Sequence, residues 1–235
     1  MSICAKCNKT AAAAGLPNLK ACAKCKTTQY CSRDWQKADW KVHKKNCGAN
    51  ASSRMFDANV PAGRLKDLEA HIPNPFTKLD QGKYLYDRPE KDVYKLLIDS
   101  FRIRQEDDLT FEHKTTPGSI YAGESSSIAP FRVYLDKAAT RKLLPPWWDA
   151  EKRNECEAFG EGGAWNNLRK SVTKHDIVNH YGDPRAPMQL RMLAEAVYGV
   201  GSMGQNGSRM RKQMALMESG GPGSDDFVSM LGSLV

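Results

Sequence analysis

Apolar residues recur at helical intervals through the middle of the chain. Tyr94, Leu97, Ile98 and Phe101 fall at i, i+3, i+4 and i+7, with Lys95, Asp99 and Arg102 on the other side. This predicts a helix that begins near Pro89-Glu90. Leu190, Leu193, Ala194 and Val197 repeat the pattern and stop at Gly199, a residue suited to ending a helix. Phe131 to Arg141, Asp149 to Phe159, Trp165 to Val172 and His175 to Tyr181 are shorter helical candidates, the last broken by Asp183-Pro184. Residues 64–72 read as a short helix stopped by Pro73 and Pro75. Residues 114–130, with Thr115-Thr116-Pro117-Gly118 and Glu124-Ser125-Ser126-Ser127, read as a loop. No alternating run after residue 50 is long enough to predict a strand. Residues 64–200 are therefore expected to form a mainly α-helical domain.

The two ends differ. From Gly201 onward glycine, serine and methionine dominate, which predicts a largely disordered, flexible C-terminal tail over 201–235. Within it Asp225-Asp226 precede an apolar run. Phe227, Met230, Leu231 and Leu234 would share one helix face, as in a short docking helix for a second partner; a frayed terminus explains the same residues. Residues 51–63, with Ser52-Ser53 and Pro61-Ala62-Gly63, read as a linker. Residues 1–50 show neither period and form a domain of another kind.

Composition narrows the classes. Apolar residues make up 40% of the 235, enough for a packed core. No apolar run approaches the roughly 18 residues of a membrane span, so no membrane partner is expected. Met1-Ser2-Ile3-Cys4 lacks the basic and apolar regions of a secretory leader, which points to the nucleus or cytoplasm. Charge is uneven. Residues 1–50 hold 10 Lys+Arg against 2 Asp+Glu, while residues 51–235 hold 25 of each. Lys37, Lys41, Lys44 and Lys45 follow a helical period. They form either a solvated face or a surface for an acidic partner, nucleic acid included.

Six of the seven cysteines lie before residue 48. The ligand-type residues read Cys4-x2-Cys7, fourteen residues, Cys22-x2-Cys25, five residues, Cys31, eleven residues, His43-x3-Cys47. Each CxxC pair makes a knuckle that points two thiolates at one ion. A histidine and a cysteine four positions apart share one helix face. Clustered cysteines without a leader point to zinc rather than disulfides.

These residues, with Gln29-Tyr30-Cys31-Ser32, Gln36 and Asp39-Trp40-Lys41 ahead of His43-Lys44 and Cys47, resemble the MYND-type zinc finger. The resemblance implies a cross-braced arrangement of two Zn²⁺ sites. Cys22, Cys25, His43 and Cys47 would form one complete site; Cys4, Cys7 and Cys31 would belong to the other. There the family has a fourth cysteine, and this chain has Trp35. Water or Asp34, a residue outside the finger such as His71, or no ligand at all are the readings open for that position. Trp35 itself either marks a vacated ligand position or has been absorbed into the domain's core. The resemblance further implies a peptide-binding module for proline-containing segments of partner proteins, with Gln36 and Trp40 at the positions of its binding groove. An aromatic face takes a proline ring at low entropic cost because such ligands are already extended.

Enzyme signatures are weak. No GxxxxGK[ST], HExxH or GxSxG occurs. His175-Asp176 with His180 fits a surface helix better than a metal phosphohydrolase, and Cys156 reads as a buried small residue. The expected protein is a non-enzymatic, regulatory, zinc-binding interaction adaptor. The competing classes are a nucleic-acid-associated regulator using the basic finger and an enzyme with an unrecognised site in the helical domain.

Overall fold

The computed structural model describes residues 3–23, 28–55 and 65–219, with the backbone alone at 45, 46 and 48–55. The described residues fall into two compact units, one before residue 56 and one from residue 65 to 219.

The N-terminal unit is two knuckles and a helix. Strands β1 (Lys20–Ala21) and β2 (Gln29–Tyr30) pair antiparallel, Lys20 opposite Tyr30. Ile3 bridges Thr10 around the first knuckle, and the Ala5 N–H donates to the Gln29 carbonyl at 2.9 Å, tying that knuckle to β2. Helix α1 (Arg33–Met55) follows. Ser32 caps it by accepting from the Trp35 N–H at 3.2 Å, and Asp34 in the first turn suits the helix dipole.

This helix corrects the expected boundary at residue 50. It runs on through 51–55, the start of the expected linker. Ala51 favours helix, Ser52-Ser53 tolerate it, and the strong breakers Pro61 and Gly63 come only later.

The second unit contains seven α-helices: α2 (Pro75–Asp80), α3 (Glu90–Glu112), α4 (Ile128–Thr140), α5 (Ala150–Glu161), α6 (Lys174–Tyr181), α7 (Ala186–Tyr198) and α8 (Ser208–Glu218). Helix α3 is central, packed on α4, α5 and α7. Its Val93, Leu96, Leu97, Ile98, Phe101 and Ile103 are fully buried. Phe101 sits 5.3 Å from Phe131 and 5.5 Å from Tyr134, ring centre to ring centre. The stripe Leu190, Leu193, Ala194 and Val197 of α7 is buried as its spacing predicts. Thr173 and Asp176 form a capping box at the start of α6. Gly182 ends that helix at φ 70°, where a Cβ would also collide with the Lys66 stem.

A buried ion pair lies inside this unit. Arg102 meets Asp99 at 2.8 Å and donates to the carbonyls of Trp165, Lys170 and Ser171. Asp99 also accepts from Tyr181 at 2.7 Å and from Asn166 at 2.7 Å. Burial raises the Asp99 pKa; Arg102 and these hydrogen bonds oppose the shift.

Three further expectations are corrected. Residues 65–72 are not helical. Leu65, Leu68 and Ile72 are buried from an irregular segment, pinned where Asp92 accepts from the Glu69 and Ala70 N–H groups. Pro75 starts α2 rather than stopping a helix, because proline is tolerated in a first turn. Trp165 to Val172 is likewise irregular, its carbonyls taken by Arg102 instead of by a helix ladder.

A last correction concerns the tail. Residues 202–219 carry a 3-10 turn (Ser202–Gly204) and then α8, which packs against α2. Met214 and Met217 are buried. The Glu218 carboxylate accepts from the N–H groups of Phe76 and Thr77, at 3.0 and 2.7 Å, and from the Thr77 hydroxyl. The glycines at 199, 201, 204 and 207 connect α7 to α8 rather than beginning a disordered stretch. The docking helix expected around Phe227, Met230, Leu231 and Leu234 lies outside the described residues, as does the rest of 220–235.

Candidate metal centre

The first knuckle turns tightly. The Cys4 N–H donates to the Lys9 carbonyl and the Asn8 N–H to the Cys4 carbonyl, both at 2.9 Å, with Asn8 at φ 56°. Cys7 is thereby folded back on Cys4. Cys31, one residue past β2, arrives from the other side. The sulfurs of Cys4, Cys7 and Cys31 lie within 4.8 Å of one another, Cys7 and Cys31 at 3.4 Å.

The thiols of Cys4 and Cys31 are pushed in opposite directions. Burial raises the Cys4 pKa, but N–H donors from Cys7, Cys31 and Lys6 outweigh it and lower the value to about 6. Cys31 moves the other way, to about 11, through burial and then the neighbouring sulfurs of Cys7 and Cys4. A cation resolves this conflict, since it favours every thiolate at once.

The second group joins the hairpin to α1. The Cys22 N–H donates to the Thr28 carbonyl at 2.8 Å, closing the β1–β2 turn. His43 and Cys47 stand one turn apart on α1, facing Cys22. Their ligand atoms also lie within 4.8 Å of one another, and all three residues are buried. Cys25, expected as the fourth ligand here, lies outside the described residues. Asp34 joins neither group.

Little else holds this unit together. Among its described residues the buried hydrophobic set is Cys4, Cys22, Tyr30 and Cys47, with Leu19 packed against it. The Tyr30 hydroxyl donates to Asp39 on α1 at 2.8 Å, Lys6 pairs with Asp39 at 3.9 Å, and the Tyr30 ring meets His43 edge-on. Sequence reading did not single out the Tyr30–Asp39 bond; the only signal was an aromatic residue beside a ligand and an acid one helical turn before His43.

The two sulfur-rich groups are interleaved along the chain. Residues 4–47 match the family model of the MYND finger. No curated protein and no solved structure matches the chain. The chain thus carries a MYND finger at its N-terminus, followed by a mostly helical domain. A MYND finger is a zinc-binding protein-interaction module, and both thiol-rich groups suit zinc in donor type and spacing.

On α1 of the MYND finger, Gln36 is half-buried and Trp40, one turn later, is 44% exposed. The Trp40 ring lies 5.9 Å from the His43 ring. Trp35 is 43% exposed, so it has not been absorbed into the core. Five positions along a helix correspond to roughly 140° of rotation, which puts Trp35 and Trp40 on opposite flanks of the buried stripe formed by Asp39, His43 and Cys47. Lys37, Lys41 and Lys44 are exposed. Among the described residues no helix is long and apolar enough to cross a membrane.

Proposed function

We propose that this protein is a non-enzymatic adaptor whose MYND finger recruits a proline-containing segment of a partner protein. The observation that carries this reading is the exposed Trp40 held against the buried ligand candidate His43. A large aromatic left at the surface of so small a unit gains little for folding and offers a flat apolar face. Gln36, one turn earlier, supplies an amide beside that face for the ligand backbone. Two zinc ions fix the helix that presents both. Cys22, Cys25, His43 and Cys47 hold one, and Cys4, Cys7 and Cys31 hold the other.

The test compares proteins that co-purify with the full chain and with its Trp40→Ala and Gln36→Ala variants, zinc content being measured on each. A partner lost from both variants at unchanged zinc content supports the adaptor. The same partners retained by both would remove Gln36 and Trp40 as its binding surface.

A further inference from the structure

We propose that Cys4, Cys7 and Cys31 form a three-thiolate zinc site that takes its fourth ligand from solution, a small donor of the thiol class. The inference rests on zinc binding by the finger and is independent of peptide capture.

The donor set comes first. Three sulfurs converge within 4.8 Å, and among the described residues of this unit no further Cys, His, Asp or Glu offers an atom to that group. Zinc in a structural site takes four ligands in a tetrahedron, so three protein sulfurs leave one corner for another donor. Trp35 cannot fill it. Its indole nitrogen carries a hydrogen and has no lone pair to give. Trp35 is also 43% exposed and is not among the hydrophobic residues packed with these sulfurs.

Access comes second. Cys4 is fully buried, whereas Cys7 and Cys31 are each partly exposed. A ligand therefore reaches the ion past Cys7 and Cys31. The other group differs on this point, because Cys22, His43 and Cys47 are all buried. Among the described residues, one group is therefore open to solution and the other is buried.

Ligand class comes third. An ion already bound by three thiolates is best matched by a further soft donor. A fourth thiolate adds a negative charge to an already anionic centre. Lys6 sits between Cys4 and Cys7 in sequence, and Lys9 and Arg33 flank the knuckle and the start of α1. All three are exposed, and Lys6 also pairs with Asp39 at 3.9 Å.

The experiment uses the full chain loaded with Co²⁺, whose visible spectrum reports the ligands of each ion. The probe is 2-mercaptoethanol, added to the wild type and to Trp35→Cys and Trp35→Ala. In the wild type two cobalt ions bind, and the thiol shifts the bands of one of them saturably while both stay on the protein through desalting. Trp35→Cys, with its own fourth sulfur, shows the all-thiolate bands without added thiol and does not respond further. Trp35→Ala responds like the wild type. A wild-type spectrum unmoved by thiol, binding of only one cobalt, or cobalt stripped from the protein by the thiol would each overturn the proposal. So would loss of the response in Trp35→Ala with both ions still bound.

Discussion

The phenol of Tyr30 donates to the Asp39 carboxylate at 2.8 Å inside the finger. The bond links β2, one residue before Cys31, to α1 one turn before His43. It therefore spans the two thiol-rich groups. Tyr30→Phe keeps the ring and removes the bond, leaving a buried carboxylate short of a donor at a cost of about 1–3 kcal/mol. Amide exchange in β1, β2 and the first turns of α1 is expected to accelerate, with exchange in α3 and α7 unchanged. Equal protection in the variant would place the bond outside the finger's stability.

Metal removal should separate the two units. The finger buries few aliphatic side chains, so its folding draws on zinc binding, with an apparent free energy of roughly 10–16 kcal/mol in small zinc-folded units. Chelation is expected to fully expose Trp35 and Trp40, read by fluorescence, while the helical signal of α2 to α7 persists to its usual melting temperature. Cys22→Ser and His43→Ala should each cost more than Cys4→Ser, because they damage the buried group. Equal losses would give the two groups equal weight.

Asp99 and Arg102 form the buried pair on which α3, α6 and residues 165–171 converge. Asp99→Ala leaves the guanidinium buried without its counter-charge and should cost about 3–5 kcal/mol. Adding Arg102→Met should recover part of that loss, since the unpaired charge is then gone. Thermal melts of the two variants check the order. A double variant no better than Asp99→Ala would assign the loss to missing hydrogen bonds instead.

Glu218 holds α8 against the start of α2 by accepting from the Phe76 and Thr77 N–H groups. Glu218→Ala exposes those donors and removes a negative charge from a helix N-terminus, together worth about 2 kcal/mol. Proteolysis between α7 and α8 should rise several-fold, and amides of α2 should exchange faster. A cleavage rate equal to the wild type would mean that Met214 and Met217 hold α8 alone.

Glu112 supplies an acid-sensitive contact. Its carboxylate is paired with Lys114 and accepts from the Met203 N–H and the Ser202 hydroxyl, which lowers its pKa from 4.5 to about 2 despite partial desolvation. A depressed carboxylate stabilises the folded state fully above its unfolded value and loses that contribution as pH falls through the folded one. The contact between the 202–204 turn and the end of α3 should therefore weaken between pH 4.5 and about 2. The Met203 amide resonance should titrate in that window, and Glu112→Gln should remove the titration.

Much of this was legible from residue spacing. Leu97 and Phe101 in α3, and Leu190 and Val197 in α7, sit on stripes that only a helix buries together. The cysteine spacing carried the zinc reading for a different reason, since few other chemistries need those intervals. Residues 65–72 misled because Leu65, Leu68 and Ile72 are apolar at helix-like intervals, while the groups that fix them, Asp92 and Tyr181, lie far along the chain. Met214 and Met217 were hidden by their glycine-rich approach. Trp35 was ambiguous because the identity of an aromatic residue does not report its exposure.

The length of α1 bears on how the finger is handled as an isolated piece. Cys47 sits eight residues before the end of the helix, about 12 Å along its axis. In the whole chain the Cys47 carbonyl lies within the ladder and can accept from the amide of residue 51. A fragment cut after Asn50 would turn the carbonyls of residues 47–50 into the four unsatisfied ones of a helix end. Fraying would then begin at a candidate metal ligand. Such a fragment would bind zinc more weakly than the intact chain for a reason unrelated to its sulfurs, and a cut after Met55 moves the loose turn more than one turn beyond Cys47.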